Sequence, residues 1–167
     1  LERAQGREGG IGVDAGLGGR RGRMPERLLR PVLPAPRRAL AALPDTTIVH
    51  AYGPTECTTF TTCEAIPREL PDGIATIPIG RPIARTQVYF LDEEFNPVPD
   101  GMIGELCVGG QGVARGYLRR PDLTAEKFIP DPFGGVAGAR LYRTGDLGRR
   151  LANGQIDFQG RFDRQIK

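Results

Sequence analysis

The stretch RLYRTGDLGRRLANGQIDFQ, Arg140–Gln159, decides how this chain is read. Arg140–Arg150 and Gln155–Gln159 read as strands. Asn153–Gly154 joins them, a dipeptide that favours the tight turn of a hairpin. Towards the N-terminus, Gln87–Asp92 (QVYFLD) and Ile103–Val108 (IGELCV) read as two more strands, with NPVPDG between them supplying turn chemistry. Thr124–Phe128, after Asp122, predicts a short helix with N-capping residues ahead of it. The back half is therefore mostly β, and its closely spaced hairpins predict a small barrel.

Further upstream, Thr47–Ala51 is a short β-branched run and reads as a buried strand. The turn-rich YGPTE, Tyr52–Glu56, follows it, and then CTTFTTCEAI, Cys57–Ile66, which reads as a second strand. Residues 67–82 hold Pro67, Pro71, Pro78 and Pro82 and read as a loop. Residues 1–42 differ in kind: they are crowded with Arg, Gly, Ala and Pro and contain no aromatic residue. Pro31, Pro34 and Pro36 break the leucine spacing there, leaving residues 36–43 as the one clean helix. The segment reads as irregular, disordered or translated out of frame, since a shifted GC-rich frame produces this composition.

Formal net charge is +3, from 23 basic and 20 acidic side chains. Nine arginines precede Asp45, but no aromatic residue interleaves them to stack on bases, which argues against a nucleic-acid partner. Cys57, Cys63 and Cys107 form no CxxC pair, and that suits a reducing, cytoplasmic compartment. With a single histidine, His50, a zinc site or a Cys–His catalytic pair is poorly supplied. No apolar run reaches membrane-spanning length and no signal peptide is evident, so no membrane role is expected.

Four short strings carry chemistry. In YGPTE, glycine and proline fix a turn from which Tyr52 can offer a flat face to a base, Thr55 a hydroxyl to a phosphate, and Glu56 a hard oxygen to magnesium. From these five residues alone, a purely structural turn with a buried Tyr and an exposed Glu is the stronger reading. GELCVGGQGVARGYL, Gly104–Leu118, sets Gly109, Gly110, Gly112 and Gly116 where positive φ is permitted, as a phosphate cradle or as structural turns. It opens no helix with a following lysine and is no P-loop. In LYRTGDL, Asp146 follows a Thr-Gly turn at a strand end, as a ribose acceptor or an Asx-turn residue. In GRFDRQIK, Gly160–Lys167, Arg161 can present its planar fork to sugar or phosphate.

Taken in this order, with RPDLTAEKFI between them, the four strings resemble the consecutive middle core motifs of the AMP-forming adenylation superfamily. The resemblance runs from His50 to Lys167. The proline of YGPTE, and Asp163 and Gln165 of GRFDRQIK, are similar to the amino-acid-activating adenylation domains of nonribosomal peptide synthetases rather than to acyl-CoA synthetases.

The resemblance implies an α/β fold: part of an adenylate-forming large domain with a distorted β-barrel subdomain in the C-terminal half. Residues 43–167 would be the partial AMP-binding domain: 43–79 the end of the sheet subdomain, 80–160 the barrel and 161–167 a hinge. It implies a ligase that activates an amino acid with ATP to aminoacyl-AMP and loads it on the phosphopantetheine of a carrier domain. Peptidyl carrier and condensation domains are the implied partners. Tyr52 would stack on adenine, Gly53 would approach the nucleotide, and His50 would contact the adenine edge. Thr55 would touch phosphate and Glu56 would bind Mg2+. Asp146 would hold the ribose hydroxyls with Arg161 nearby, and Asp163 would be the hinge. Ala51, Thr59 and Phe60 match positions lining the amino-acid pocket, and suit an aliphatic or other uncharged side chain. The family's Ser/Thr/Gly-rich phosphate loop and C-terminal catalytic lysine have no match in these residues, so the isolated chain is expected to be inactive. The same residues also suit a fragment of an acyl-CoA or aryl-acid ligase, or a noncatalytic nucleotide-binding or docking module.

Overall fold

The computed structural model describes residues 34–70 and 76–162, and Asp163 lies outside them. The first element is α1, Pro34–Ala42. It starts earlier than the prolines suggested, because Pro34 and Pro36 fall in its first turn, where a missing N–H has no intrahelical partner to lose. One side chain gathers carbonyls from its last turn and the segment after it: Arg68 donates to Leu40 O at 2.9 Å, Leu43 O at 3.0 Å and Thr46 O at 2.6 Å. Leu40 packs with Ile66 and Ile77 in a small apolar cluster beneath the helix.

Three short strands form a first sheet in the order β1 (Val49–Tyr52), β2 (Thr62–Ala65), β3 (Arg81–Pro82), all antiparallel. The expected strand from Cys57 to Ile66 forms only in its last part. Thr55–Cys57 is instead a 3-10 turn, closed by Cys57 N–H on Pro54 O, and Thr58 takes a positive φ of 76°. The β-branched residues favoured extension, but the segment folds back across the end of β1, where Thr61 N–H donates to Tyr52 O at 2.7 Å.

The second sheet has the order β4 (Thr86–Leu91), β5 (Gly104–Gly110), β7 (Arg140–Arg150), β6 (Phe128–Pro130), with β8 (Ile156–Arg161) also on β7. Helix α2 (Pro121–Lys127) leads into β6. It begins on a proline and has no side-chain N-cap. Asp122, expected to cap, instead accepts the guanidinium of Arg120. The barrel expectation is corrected: among the described residues no ladder closes the sheet. β6 and β8 share one edge of β7, at Leu141–Tyr142 and at Asp146–Arg150, and the free edge of β4 is covered by the 92–98 turn through Val98 N–H on Phe90 O.

β5 is buried on both faces because side chains alternate across a strand. Leu106 and Val108 point into a core with Val88, Phe90, Phe128, Tyr142 and Ile156, while Cys107 joins Leu91 and Leu141 on the other side. Fully burying a side chain such as Leu106 or Ile156 contributes roughly 1.5–3 kcal/mol. The two sheets meet where Ile79 N–H donates to Ile156 O and Ile156 N–H to Gly80 O. That junction sets the end of β1 beside the middle of β7.

Candidate functional site

A cleft of about 390 Å³ opens at that junction, lined by Gly53, Pro54, Thr55, Glu56, Tyr142, Thr144 and Arg161. Asp146 lies behind it with no solvent exposure. It does not follow a turn at a strand end, as its sequence suggested: β7 runs on from Arg140 to Arg150, with Gly145 at φ 73° and an irregular register beside Asp146. Both carboxylate oxygens meet protein donors. Tyr52 Oη donates to Oδ2 at 2.5 Å and Arg161 Nη1 to Oδ1 at 2.8 Å. A carboxylate oxygen offers two lone-pair directions, so each can accept from more than one donor. Burial, and then the charge of Asp146, push the Tyr52 phenol well above the ordinary tyrosine range, so it stays a proton donor.

Glu56 also lines the cleft, on the 3-10 turn, half-buried. Its Oε1 accepts the Tyr117 hydroxyl at 2.6 Å, and its backbone carbonyl accepts Ala114 N–H at 2.7 Å. The Tyr142 hydroxyl lies 3.5 Å from that of Tyr117. Both phenols are pushed upward, first by burial, with Tyr117 then raised by its bond to Glu56. The cleft thus gathers a carboxylate, a guanidinium and several hydroxyls, a set suited to a ligand carrying both phosphate and hydroxyl groups.

The other residues expected at the site are distributed around it. Gly53 lines the cleft, and its lack of a side chain is also demanded from behind: a Cβ there would stand 2.3 Å from Thr59 O. Thr55 is exposed at the rim. His50 does not line the cleft, and its Nδ1 sits 3.0 Å from Pro78 O. A carbonyl only accepts, so Nδ1 carries the proton. Thr59 and Phe60 line a separate cleft of about 340 Å³ with Cys57, Ile83 and Gly112. Ala51, on β1, borders neither. Of the four glycines of Gly104–Leu118 singled out above, only Gly110 and Gly116 take positive φ. At Gly110 the need is tight, because a Cβ would meet Arg85 O at 2.2 Å.

Sequence reasoning passed over Tyr117, Tyr142, Thr144 and Glu105. All four sit inside the strings it quoted, and the signal available was a polar or aromatic residue two to four positions from Asp146, or inside Gly104–Leu118.

The sequence pattern of one family, described as AMP-binding enzyme, matches residues 31–118, more than half of the chain. The chain belongs to that family. Malpibaldin synthetase of Mortierella alpina is 55% identical over 121 residues, 72% of this chain and 2% of that protein. Tyrocidine synthase 3 of Brevibacillus parabrevis is 52% identical over 130 residues, 78% of this chain and 2% of that protein. A solved NRPS protein containing adenylation and PCP domains superposes with a TM-score of 0.70 at 39% identity, over 80% of this chain and 27% of that one. This AMP-binding chain is thus a partial adenylation domain of the nonribosomal peptide synthetase type, and it spans a small share of the curated relatives it matches. Its fold is mixed α/β, mostly sheet. Among the described residues no helix is long and apolar enough to cross a membrane.

Proposed function

We propose that this chain supplies the nucleotide-facing wall of an amino-acid-activating site in the cytoplasm. In the reaction an amino-acid carboxylate attacks the α-phosphate of ATP. The bond between the α- and β-phosphates breaks, and aminoacyl-AMP and pyrophosphate are released. The thiol of a carrier domain's phosphopantetheine then takes the aminoacyl group and releases AMP. The substrate amino acid and the peptidyl carrier and condensation domains of a synthetase are the partners this reading requires.

The observation that carries the proposal is the Tyr52–Asp146–Arg161 cluster, in which Arg161 lines the cleft and Asp146 lies buried behind it. Asp146 would accept the ribose hydroxyls alongside its protein donors, and Arg161 would hold its charge in place. The Tyr52 ring would border the adenine, with Gly53 beneath it. Thr55 would donate to a phosphate oxygen. Phe60 and Thr59, in the neighbouring cleft, would face the amino-acid side chain with Ala51, and His50 would keep a ring nitrogen for the adenine edge. The chain is proposed to divide into sheet and barrel-derived parts near Gly80, and Asp163 is proposed as the hinge.

Glu56 suits magnesium. Its carboxylate stands in the open cleft, and no group of three His, Cys, Asp or Glu among the described residues forms a closed metal cage. Magnesium takes one or two protein carboxylates and otherwise phosphate and water oxygens. When bound, it neutralises charge building on the phosphate oxygens. The chain's own part is orientation: a rigid 3-10 turn and a phenol fix the direction in which Glu56 faces.

The test is amino-acid-dependent ATP–pyrophosphate exchange by the full-length protein, with Asp146→Asn and Glu56→Gln beside the parent. Each substitution is expected to lower exchange by at least roughly tenfold, the value of a hydrogen bond or contact to a charged group. The isolated 167-residue chain is expected to show none. Exchange unchanged in both variants would overturn the proposal.

A further inference from the structure

Across β5 and β7 the pairing is regular on either side of one irregularity. Glu105 faces Leu147 and Cys107 faces Arg143, so Thr144, Gly145 and Asp146 stand opposite Leu106 alone. Three residues against one cannot keep the ladder, and their backbone groups need other partners. Side chains provide them. Glu105 Oε1 accepts Gly145 N–H at 3.2 Å. Thr144 Oγ1 donates to Leu106 O at 2.7 Å and accepts Asp146 N–H at 2.9 Å. The Glu105 carboxylate is nearly buried, and its other oxygen accepts Arg143 Nε at 3.0 Å and Nη2 at 2.7 Å. Arg143 in turn lies over the Phe95 ring, 4.8 Å from its centroid.

We infer that the Glu105–Arg143 pair is a positioning device that holds the bulged backbone at Gly145 and so fixes the direction in which Asp146 presents its carboxylate. Glu105 does not line the cleft. Its effect passes through one main-chain N–H adjacent to the residue that does the binding. A buried carboxylate serves here where a neutral side chain would not, because it accepts from Gly145 and from Arg143 at once and is neutralised by the latter. The inference rests on the reading of Asp146 as the acceptor of the ribose hydroxyls.

Binding of AMP and of 2′,3′-dideoxy-AMP to the full-length protein tests it, because the second ligand lacks the hydroxyls Asp146 would hold. Glu105→Ala is expected to weaken AMP by roughly tenfold, and Glu105→Gln, which can still accept from Gly145 but not neutralise Arg143, by a smaller factor. Dideoxy-AMP affinity should not change in either. Should Glu105→Ala fail to fold, Glu105→Gln still carries the comparison. Parallel losses for both nucleotides, or no loss for either, would overturn the positioning role. Asp146→Asn separates this from the underlying reading. If it abolishes the preference for AMP while the Glu105 variants keep it, only the positioning role fails. If Asp146→Asn leaves the preference intact, the ribose reading fails and the inference with it.

Discussion

Asp146 and Arg161 face each other directly across the β7–β8 ladder, with Nη1 2.8 Å from Oδ1 and the carboxylate fully buried. A buried carboxylate without a cation is expensive, and Arg161, itself largely covered, supplies a counter-charge in direct contact. Tyr52 arrives from the other sheet, 94 residues earlier in the chain, and donates to the second oxygen. The cluster therefore ties the two sheets together at the place where the cleft opens.

Removing one member should cost more than removing both. Arg161→Met takes the 2.8 Å counter-charge away from a fully buried carboxylate, and a loss of about 3–5 kcal/mol is expected. Arg161→Met combined with Asp146→Leu removes the buried charge as well, so the double variant should recover part of that loss. Urea titrations of the two single variants and the double variant measure the coupling. Additive losses would show that the pair holds no shared energy.

Stability should fall on the alkaline side. Burial pushes the Cys57 and Cys107 thiols up to about 12, and raises the Tyr52 and Tyr142 phenols well above their usual range. In the unfolded chain thiols ionise near about 8.5 and phenols near about 10. Unfolding at high pH therefore releases protons that the fold retains. The contribution is complete below the unfolded thiol value and is lost progressively as pH rises from there through about 12. Denaturation midpoints measured from pH 7 upward should decline over that window. Cys107→Ala should flatten the slope, at the cost of lower stability at neutral pH.

Tyr117 holds Glu56 by a 2.6 Å hydrogen bond, and its ring is set edge-on to Phe128. Tyr117→Phe keeps the ring packing and deletes only the donor. If Glu56 binds magnesium, the magnesium concentration needed for half-maximal exchange should rise about tenfold, as for other residues that orient a metal ligand. Tyr142→Phe should do less, since its hydroxyl stands 3.5 Å from that of Tyr117. Equal effects from both would contradict this order.

Local patterns were readable where the governing physics is local. The strand-favouring runs QVYFLD and IGELCV placed β4 and β5 within two residues of their observed ends, and the Asn-Gly turn placed the β7–β8 hairpin, where Gly154 turns the chain with a positive φ of 81°. The misreadings share one cause. Cys57–Thr61 has strand-forming residues, yet it turns back because β1 offers Tyr52 O as a partner. Strand β6 is three residues long and exists because Leu141 and Tyr142 pair with it, which no window of its own sequence reveals. Arg140–Arg150 reads as one strand and is one, but its Thr-Gly reads as a turn; Glu105, forty positions away, accepts Gly145 N–H inside the continuing strand.

The sequence by itself determined the family, because four strings in fixed order specify which chemical groups are present: a phenol, two carboxylates, a guanidinium and a hydroxyl. It also determined the strand-forming runs that became β4, β5 and β7. Only the tertiary structure decided which groups meet. Asp146 with Tyr52 and Arg161, Glu56 with Tyr117, and Glu105 with Gly145 are contacts between residues 15 to 94 positions apart. Periodicity tells a strand which face to bury, while its neighbour and register come from the burial of Leu106, Leu141 and Ile156 in a core built by several strands at once.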